Sequence, residues 1–339
     1  MKLIATKDAE GHVLCHDMTR IIPGKEKGAA FKKGHIVTKS DIEKLLSMGK
    51  ENLYVWEKNE NMLHEDEAAE ILLELCINEN MHRTDVSEGK IELIADCGGV
   101  LKVDTNRLNA INSLGEMMIA TRRGNFPVKK GDKLAGMRVI PLVIEKEKME
   151  KAKSICPSDT SILSLIPYKK GKASIITTGG EVASGRIEDA FGPVIREKLS
   201  EYDIEVMRQT ILGDNPHLIT EQIIKDIKDG ADMVFCTGGM SVDPDDKTPL
   251  AIKNTGADIV TYGAPVLPGA MFLLSYLKDV PVMGLPGCVM YAKRTIFDII
   301  LPRILTGEKL TAADISCLGE GGLCLNCDVC TFPNCGFGK

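Results

Sequence analysis

Aromatic residues make up only 4% of the 339-residue chain, and Trp56 is its only tryptophan. A nucleic-acid surface built on base stacking needs more rings than that. Basic residues are not in excess either: the formal net charge is -6 and the pI about 5.7, so the basic stripe that tracks a phosphate backbone is missing. No apolar run reaches the roughly 18 residues of a membrane span. The first residues, MKLIATKDAEGHVL, carry charges early and lack the apolar core of a secretory signal. These absences predict a cytoplasmic protein that engages neither nucleic acid nor membrane. They leave room for a small anionic ligand, which backbone N–H groups can hold without net positive charge.

What is present is an ordinary globular composition, 44% apolar with a mean hydropathy of -0.02. A chain of this length exceeds what one core usually organises, so two or three domains are expected. Of the 11 cysteines, Cys15, Cys76, Cys97, Cys156, Cys236 and Cys288 are scattered, while Cys317, Cys324, Cys327, Cys330 and Cys335 crowd the end. An odd number without a secretory signal predicts reduced thiols.

From Gly171 to about Thr306 short β-rich runs alternate with amphipathic helical patterns. KASIITTGG, IEVMRQTIL, ADMVFCTGG, ADIVTYG and PVMGLPG read as strands. Helices are expected after Gly180, over HLITEQIIKDIKDG, and from Val289 to Leu305, with Pro302 a kink or an end. Such alternation implies right-handed βαβ units, hence a three-layer α/β/α domain with a mainly parallel sheet. Residues 1–165 read differently: HVLCHDM, LYVWE, KIELIAD, GVLKVD, EMMIATR and GMRVIPLVI are short strand-like pieces among close turn signals. They predict an α+β, partly barrel-like part of one or two small subdomains. The expected division is 1–165, 166–310 and a tail from 311 to 339.

In a parallel sheet, ligands bind beyond the carboxyl ends of the strands. Those ends carry TTGGE (Thr177 to Glu181), LGDN (Leu212 to Asn215), TGGMSVDPDD (Thr237 to Asp246) and LPGC (Leu285 to Cys288). Glycine lets a backbone approach a ligand closely and threonine offers a hydroxyl, a combination suited to a phosphate or a pterin ring. Glu181, Asp214, Asp243, Asp245 and Asp246 lie at the same ends. Gathered carboxylates suit a hard cation such as magnesium, and a helix cap near Lys247 is the alternative for Asp245 or Asp246.

The succession TTGGE, GDNPH, TGGMSVDPDD, VLPG and GLPG resembles the molybdopterin-binding domain of the molybdopterin molybdenumtransferases, the family that includes the gephyrin C-terminal region. The likeness covers Ala173 to Gly307; GHVLCHDM and FKKGHIVTKSDIEKLLSMGKENLYV resemble the family's N-terminal segments more loosely. It implies a molybdopterin-binding fold, molybdopterin or its adenylylated form as ligand, Mg2+ as cofactor, molybdate as substrate and a homodimer. The reaction it implies is insertion of molybdate into the dithiolene with release of AMP. Carried over by position, Glu181, Asp214 and Asp246 fall on active-site acids. Thr178, Gly179, Gly180, Thr237, Gly238, Gly239 and Ser241 fall on the ligand turns, and Pro268, Gly269, Pro286 and Gly287 on the two proline-glycine turns.

The chain departs from that pattern in four places. Gly180 stands where the family has aspartate, Asp243 where it has glycine, Met271 in place of a proline, and Cys288-Val289 in place of Asn-Pro. Losing one acid keeps a second reading open, a non-catalytic pterin carrier or redox-responsive regulator serving a molybdenum enzyme or another protein of the cofactor pathway. A third rests on the DDKT run after TGG, which resembles the competence-damage-inducible family and implies hydrolysis of a nucleotide derivative.

The tail adds GEGGLCLNCDVCTFPNCGFGK. Cys324, Cys327 and Cys330 are spaced C-x-x-C-x-x-C, and Cys335 follows five residues later. Four thiolates so close in sequence can converge on one metal centre, an iron–sulfur cluster or Zn2+, with the spacing closer to an iron–sulfur loop and Cys317 an alternative ligand; a disordered redox-sensitive tail or a pair of disulfides is the other reading. Elsewhere, His12, Cys15, His16 and Asp17 read as ordinary surface rather than a metal site, and His217 as a residue at a helix start.

Overall fold

The computed structural model describes residues 2–22, 26–55, 60–157, 160–241 and 247–339. The chain forms two compact units. One comprises residues 1–96, 103–122 and 131–164, and the other residues 97–102, 123–130 and 165–339.

The second unit is organised by a six-stranded sheet of β1 (Lys172–Thr178), β2 (Glu205–Leu212), β3 (Met233–Thr237), β4 (Asp258–Tyr262), β5 (Leu273–Leu277) and β6 (Val280–Leu285), in the order 2-1-3-6-5-4. Strands 2, 1, 3 and 6 are mutually parallel, whereas β5 and β4 add antiparallel rungs at one side. The alternation of β1 and β3 explains the layers. Ile175 and Phe235 enter one core, while Ile176, Val234 and Cys236 enter another on the opposite face. A strand buried on both faces loses the hydrophobic–polar alternation and reads as one apolar run.

Helices α1 (Phe191–Ser200) and α4 (Ile296–Leu305) supply the first core, and α2 (Pro216–Lys228) and α3 (Thr248–Asn254) the second. The caps are local. The Asp189 carboxylate accepts from the Phe191 N–H at 2.9 Å. Asn215 accepts from the N–H groups of His217 and Leu218, with Pro216 opening α2. Within the first core, Phe235 and Phe297 meet edge to face at 5.3 Å.

The closing helix is shorter than its apolar pattern suggests. Gly287–Met290 forms a separate 3-10 turn, and α4 begins only at Ile296, because Thr295 and Asp298 make a reciprocal capping box. Pro302 neither ends nor precedes the helix. All ten residues of α4 are buried, and that packing outweighs the hydrogen bond the proline cannot donate.

A three-stranded sheet orders Phe126–Val128, Gly99–Val103 and Leu163–Pro167. The C-terminal residues also belong to the second unit, where Phe337 is buried in the first core.

The first unit is α+β. Its largest sheet, open at both edges, orders Met81–Arg83, Ile91–Ala95, Lys133–Val139 and Met117–Thr121, all antiparallel. Helix Glu65–Cys76 packs on it, and helix Lys39–Ser47 lies over a small core of Leu14, Met18, Phe31, Val37, Leu45 and Leu53. The expected strand HVLCHDM is not one. Only Val13 and Leu14 make isolated bridges, to Ile36 and Val55, and the strand begins at Met18. Nor is this segment plain surface, because Cys15 is fully buried and accepts a His64 ring nitrogen at its carbonyl. Trp56 lies outside the described residues.

Candidate functional site at the carboxyl edge of the sheet

The parallel strands end level with one another. Thr177 is in register with Thr237, Thr237 with Leu285, and Thr178 with Leu212. The segments that follow, Gly179-Gly180, Gly213-Asp214, Gly238-Gly239 and Pro286-Gly287, therefore emerge side by side. Strand β5 is antiparallel, with Leu273 opposite Gly284, so the Pro268-Gly269 turn before it returns to the same edge.

The first two turns are bonded together. The Gly180 N–H donates to the Asp214 carboxylate at 2.8 Å, and the Gly179 N–H to the Leu212 carbonyl at 3.1 Å. The first turn also meets the third. The Thr178 and Thr248 hydroxyls lie 3.0 Å apart, and Thr248 donates to the Gly238 carbonyl at 2.9 Å. Gly238 and Gly239 have φ of 79° and 53°, and a Cβ on Gly238 would run into the Thr178 carbonyl. Here glycine is required twice over, by conformation and by the neighbouring backbone.

At the end of β3 the Thr237 hydroxyl is buried and finds no hydrogen-bond partner among the described residues. Ser241 is exposed, Met240 is buried against Gly284, and Tyr262 donates to the Met240 carbonyl at 3.2 Å.

The acids are less closely grouped. Asp214 is half-buried on its bond to Gly180, whereas Glu181 is exposed in a short helical turn, Gly180–Ala183. Asp243, Asp245 and Asp246 lie outside the described residues. Among the described residues, no three His, Cys, Asp or Glu side chains are gathered closely enough to hold one ion.

The two proline-glycine turns differ in kind. Gly269, at φ 129°, lies so close to α4 that a Cβ would meet Ile296, whose N–H donates to the Pro268 carbonyl at 3.2 Å. That turn seats a helix. Gly287 faces open space, and beside it burial pushes the Cys288 thiol above its ordinary pKa, against a smaller lowering by its own backbone. His217 is exposed on the first turn of α2, 3.5 Å from Glu221.

Sequence reasoning passed over Thr248, which ties two of the turns, and Lys293 and Arg294, which lay inside the expected closing helix. Their signal was a pair of adjacent cations just after GLPG.

The tail cysteines lie elsewhere in the second unit. Cys324, Cys327, Cys330 and Cys335 all line one cavity of about 210 Å3, together with Lys293, Arg294 and Phe332. Cys317 is exposed, and it and the four cavity cysteines are free thiols. No helix among the described residues is long and apolar enough to cross a membrane.

Parts of the chain are similar to known proteins. Residues 3–57 match a family model described as "Domain of unknown function (DUF8806)". A CinA-like protein of Mycobacterium avium is 40% identical over 77 residues, and that of Mycobacterium tuberculosis H37Rv 38% over 77; each match covers 23% of this chain and 18% of the relative. The chain thus matches less than a fifth of the length of these curated relatives. Among solved structures, MoaB of Thermus thermophilus aligns at 20% identity, covering 41% of this chain and 98% of that one, with a TM-score of 0.34. The tungsten cofactor synthesizing protein MoaB of Pyrococcus furiosus aligns at 26% identity, covering 36% and 84%, with a TM-score of 0.31. Residues 174–306, the span of the parallel sheet and its turns, match the model described as "Probable molybdopterin binding domain".

Proposed function

We propose that the carboxyl edge of the sheet binds molybdopterin or its adenylylated form, and that the protein acts in molybdenum cofactor biosynthesis. The observation that carries the reading is the coincidence of the family match over 174–306 with a cradle of level strand ends. Gly179, Gly180, Gly238 and Gly239 form the turns that would border the ligand, and the close fit of Gly238 and Gly239 against Thr178 and Thr248 holds two of those turns together. Thr178 and the unpartnered Thr237 hydroxyl offer polar groups at its floor. Ser241, Pro286 and Gly287 border it, while Pro268 and Gly269 act by positioning α4.

The finer reading is molybdate insertion. Glu181 and Asp214, with Asp246, would hold Mg2+ against the phosphates, and the cation would offset their charge as the pterin sulfurs meet the oxyanion. Turn N–H groups would orient the phosphates without any basic residue. The protein would work in the cytoplasm as a homodimer and hand the cofactor to a molybdenum enzyme.

A second reading has its own observation, the 40% identity to a CinA-like protein over 77 residues. On it the same edge takes a nucleotide derivative and hydrolyses it. Gly180 in place of the family acid favours a third, in which the pterin is carried without being processed.

Purification from a host that makes molybdopterin, followed by acid and iodine oxidation, tests the ligand. A stoichiometric fluorescent pterin supports the first and third readings. AMP release that depends on molybdate and a divalent cation then selects the first. Absence of pterin from a producing host removes both and leaves the nucleotide reading.

A further inference from the structure

The tail is a folded lobe rather than a loose end. The Leu267 N–H donates to the Gly322 carbonyl and the Leu267 carbonyl accepts from the Cys324 N–H, each at 2.8 Å, so the lobe starts as a rung beside the Pro268 turn. It closes where the Gly338 N–H meets the Gly321 carbonyl at 2.8 Å. Between these ties the Lys293 ammonium donates to the carbonyls of Cys327 and Asp328, at 3.3 and 2.8 Å. Phe332 packs between Phe126 and Phe337 and under the Arg294 guanidinium.

This lobe does not need disulfides to hold its shape, and its four cysteines are free thiols facing one cavity. The cavity's 210 Å3 is more than ten times the ~10–15 Å3 of such space that one water needs. A single tetrahedral zinc requires four sulfurs about 2.3 Å from one point. The four cysteines here line one space, and no three metal-binding side chains among the described residues are gathered on one point. An iron–sulfur cubane fits the arrangement, because each thiolate binds a different iron and the sulfurs stand apart around an inorganic core.

Charge agrees with size. Four thiolates leave a bound cubane anionic, and Lys293 and Arg294 line the same cavity. Arg294 also pairs with Asp298 at 2.8 Å, which fixes its direction.

We propose that Cys324, Cys327, Cys330 and Cys335 bind a cubane iron–sulfur cluster in this cavity. The inference does not depend on the pterin reading.

The full chain, purified without oxygen and reconstituted with equal amounts of ferric and ferrous iron and with sulfide, tests it through iron, zinc and acid-labile sulfide content. The expected result is about four irons and about four sulfides per chain, with visible absorption that bleaches on dithionite reduction and a paramagnetic signal from the reduced form. Cys317→Ser should keep the full complement, and the joint change of Cys324, Cys327, Cys330 and Cys335 to serine should lose it. About one zinc per chain without sulfide overturns the proposal. So does a wild-type protein that takes up no iron and sulfide, or a fourfold variant that keeps them. Should that variant unfold by circular dichroism, the wild-type stoichiometry and spectra decide alone.

Discussion

The Gly180 N–H donates to the Asp214 carboxylate at 2.8 Å, which ties the first glycine turn to the second. A Cβ at Gly180 would lie 3.3 Å from Asp214 Oδ2, so the two turns are fitted to each other with one carboxylate between them. Asp214→Ala frees the Gly180 turn. A hydrogen bond to a charged group contributes roughly 1.5–3 kcal/mol, so affinity for molybdopterin should fall about tenfold or more while the fold survives. Titration calorimetry under anaerobic conditions reads this, and an unchanged Kd would remove Asp214 from the site.

An acid at position 180 tests the same pair from the other side. Gly180→Asp sets two carboxylates against each other, and like charges that close oppose joint ionisation. The variant should melt below the wild type at neutral pH and approach it as pH falls through the carboxylate range. Equal melting curves at pH 7 would mean the new side chain turns away.

Gly238 is the most constrained point of the candidate site. Alanine there must adopt φ 79° and displace the Thr178 carbonyl. A cost of about 1–3 kcal/mol is expected from the strained backbone, with loss of pterin binding even where the protein remains folded. Urea unfolding and the pterin assay on one preparation separate the two effects.

Under the sheet, Asp298 is nearly fully buried and serves three partners: Lys198 at 2.6 Å, Arg294 at 2.8 Å and the Thr295 N–H at 2.8 Å. Asp298→Ala leaves a buried ammonium unpaired and removes the cap of α4, for a loss of roughly 3–5 kcal/mol. Replacing Lys198 by methionine in the same protein should recover part of it, since an unpaired buried charge costs more than an apolar pair. No recovery in the double variant would assign the loss to the cap.

Asp314 gives a pH dependence. Partial burial alone would raise its pKa, but the Thr311 hydroxyl, the Arg303 guanidinium and the Thr311 N–H outweigh it and hold the carboxyl at about 2, down from 3.8. A depressed carboxylate contributes stability above its unfolded pKa and loses it as pH falls through the folded value. The contribution should therefore be present above about pH 4 and fade towards pH 2. Asp314→Asn should flatten that part of the profile, visible in melting temperatures taken across the window.

Much of the second unit was legible in the chain. Strands buried on both faces must be continuously apolar, and KASIITT and MVFCT are; amphipathic α2 announces itself by its period, its Asn-Pro start and its glycine end. The glycine-rich ends were readable because few residues but glycine satisfy a backbone that turns at a strand end. Less legible were β5, whose LLSYL lacks a distinguishing pattern, and the start of α4, where an apolar period runs on across a 3-10 turn. Short antiparallel strands in the first unit gave weak signals, since three residues such as Met81–Arg83 are too few to show alternation.

Sequence alone determined the α/β class of the second unit, its glycine turns and the clustering of four cysteines, because each follows from local periodicity or spacing. Tertiary structure decided which turns meet. Thr248 joins Gly238 to Thr178 across 70 residues, and Asp214 joins Gly180 across 34. It also decided that the four tail cysteines line one cavity with Lys293 and Arg294. Such relations depend on strand order and register, which are fixed by the packing of the whole sheet and by no stretch of chain within it.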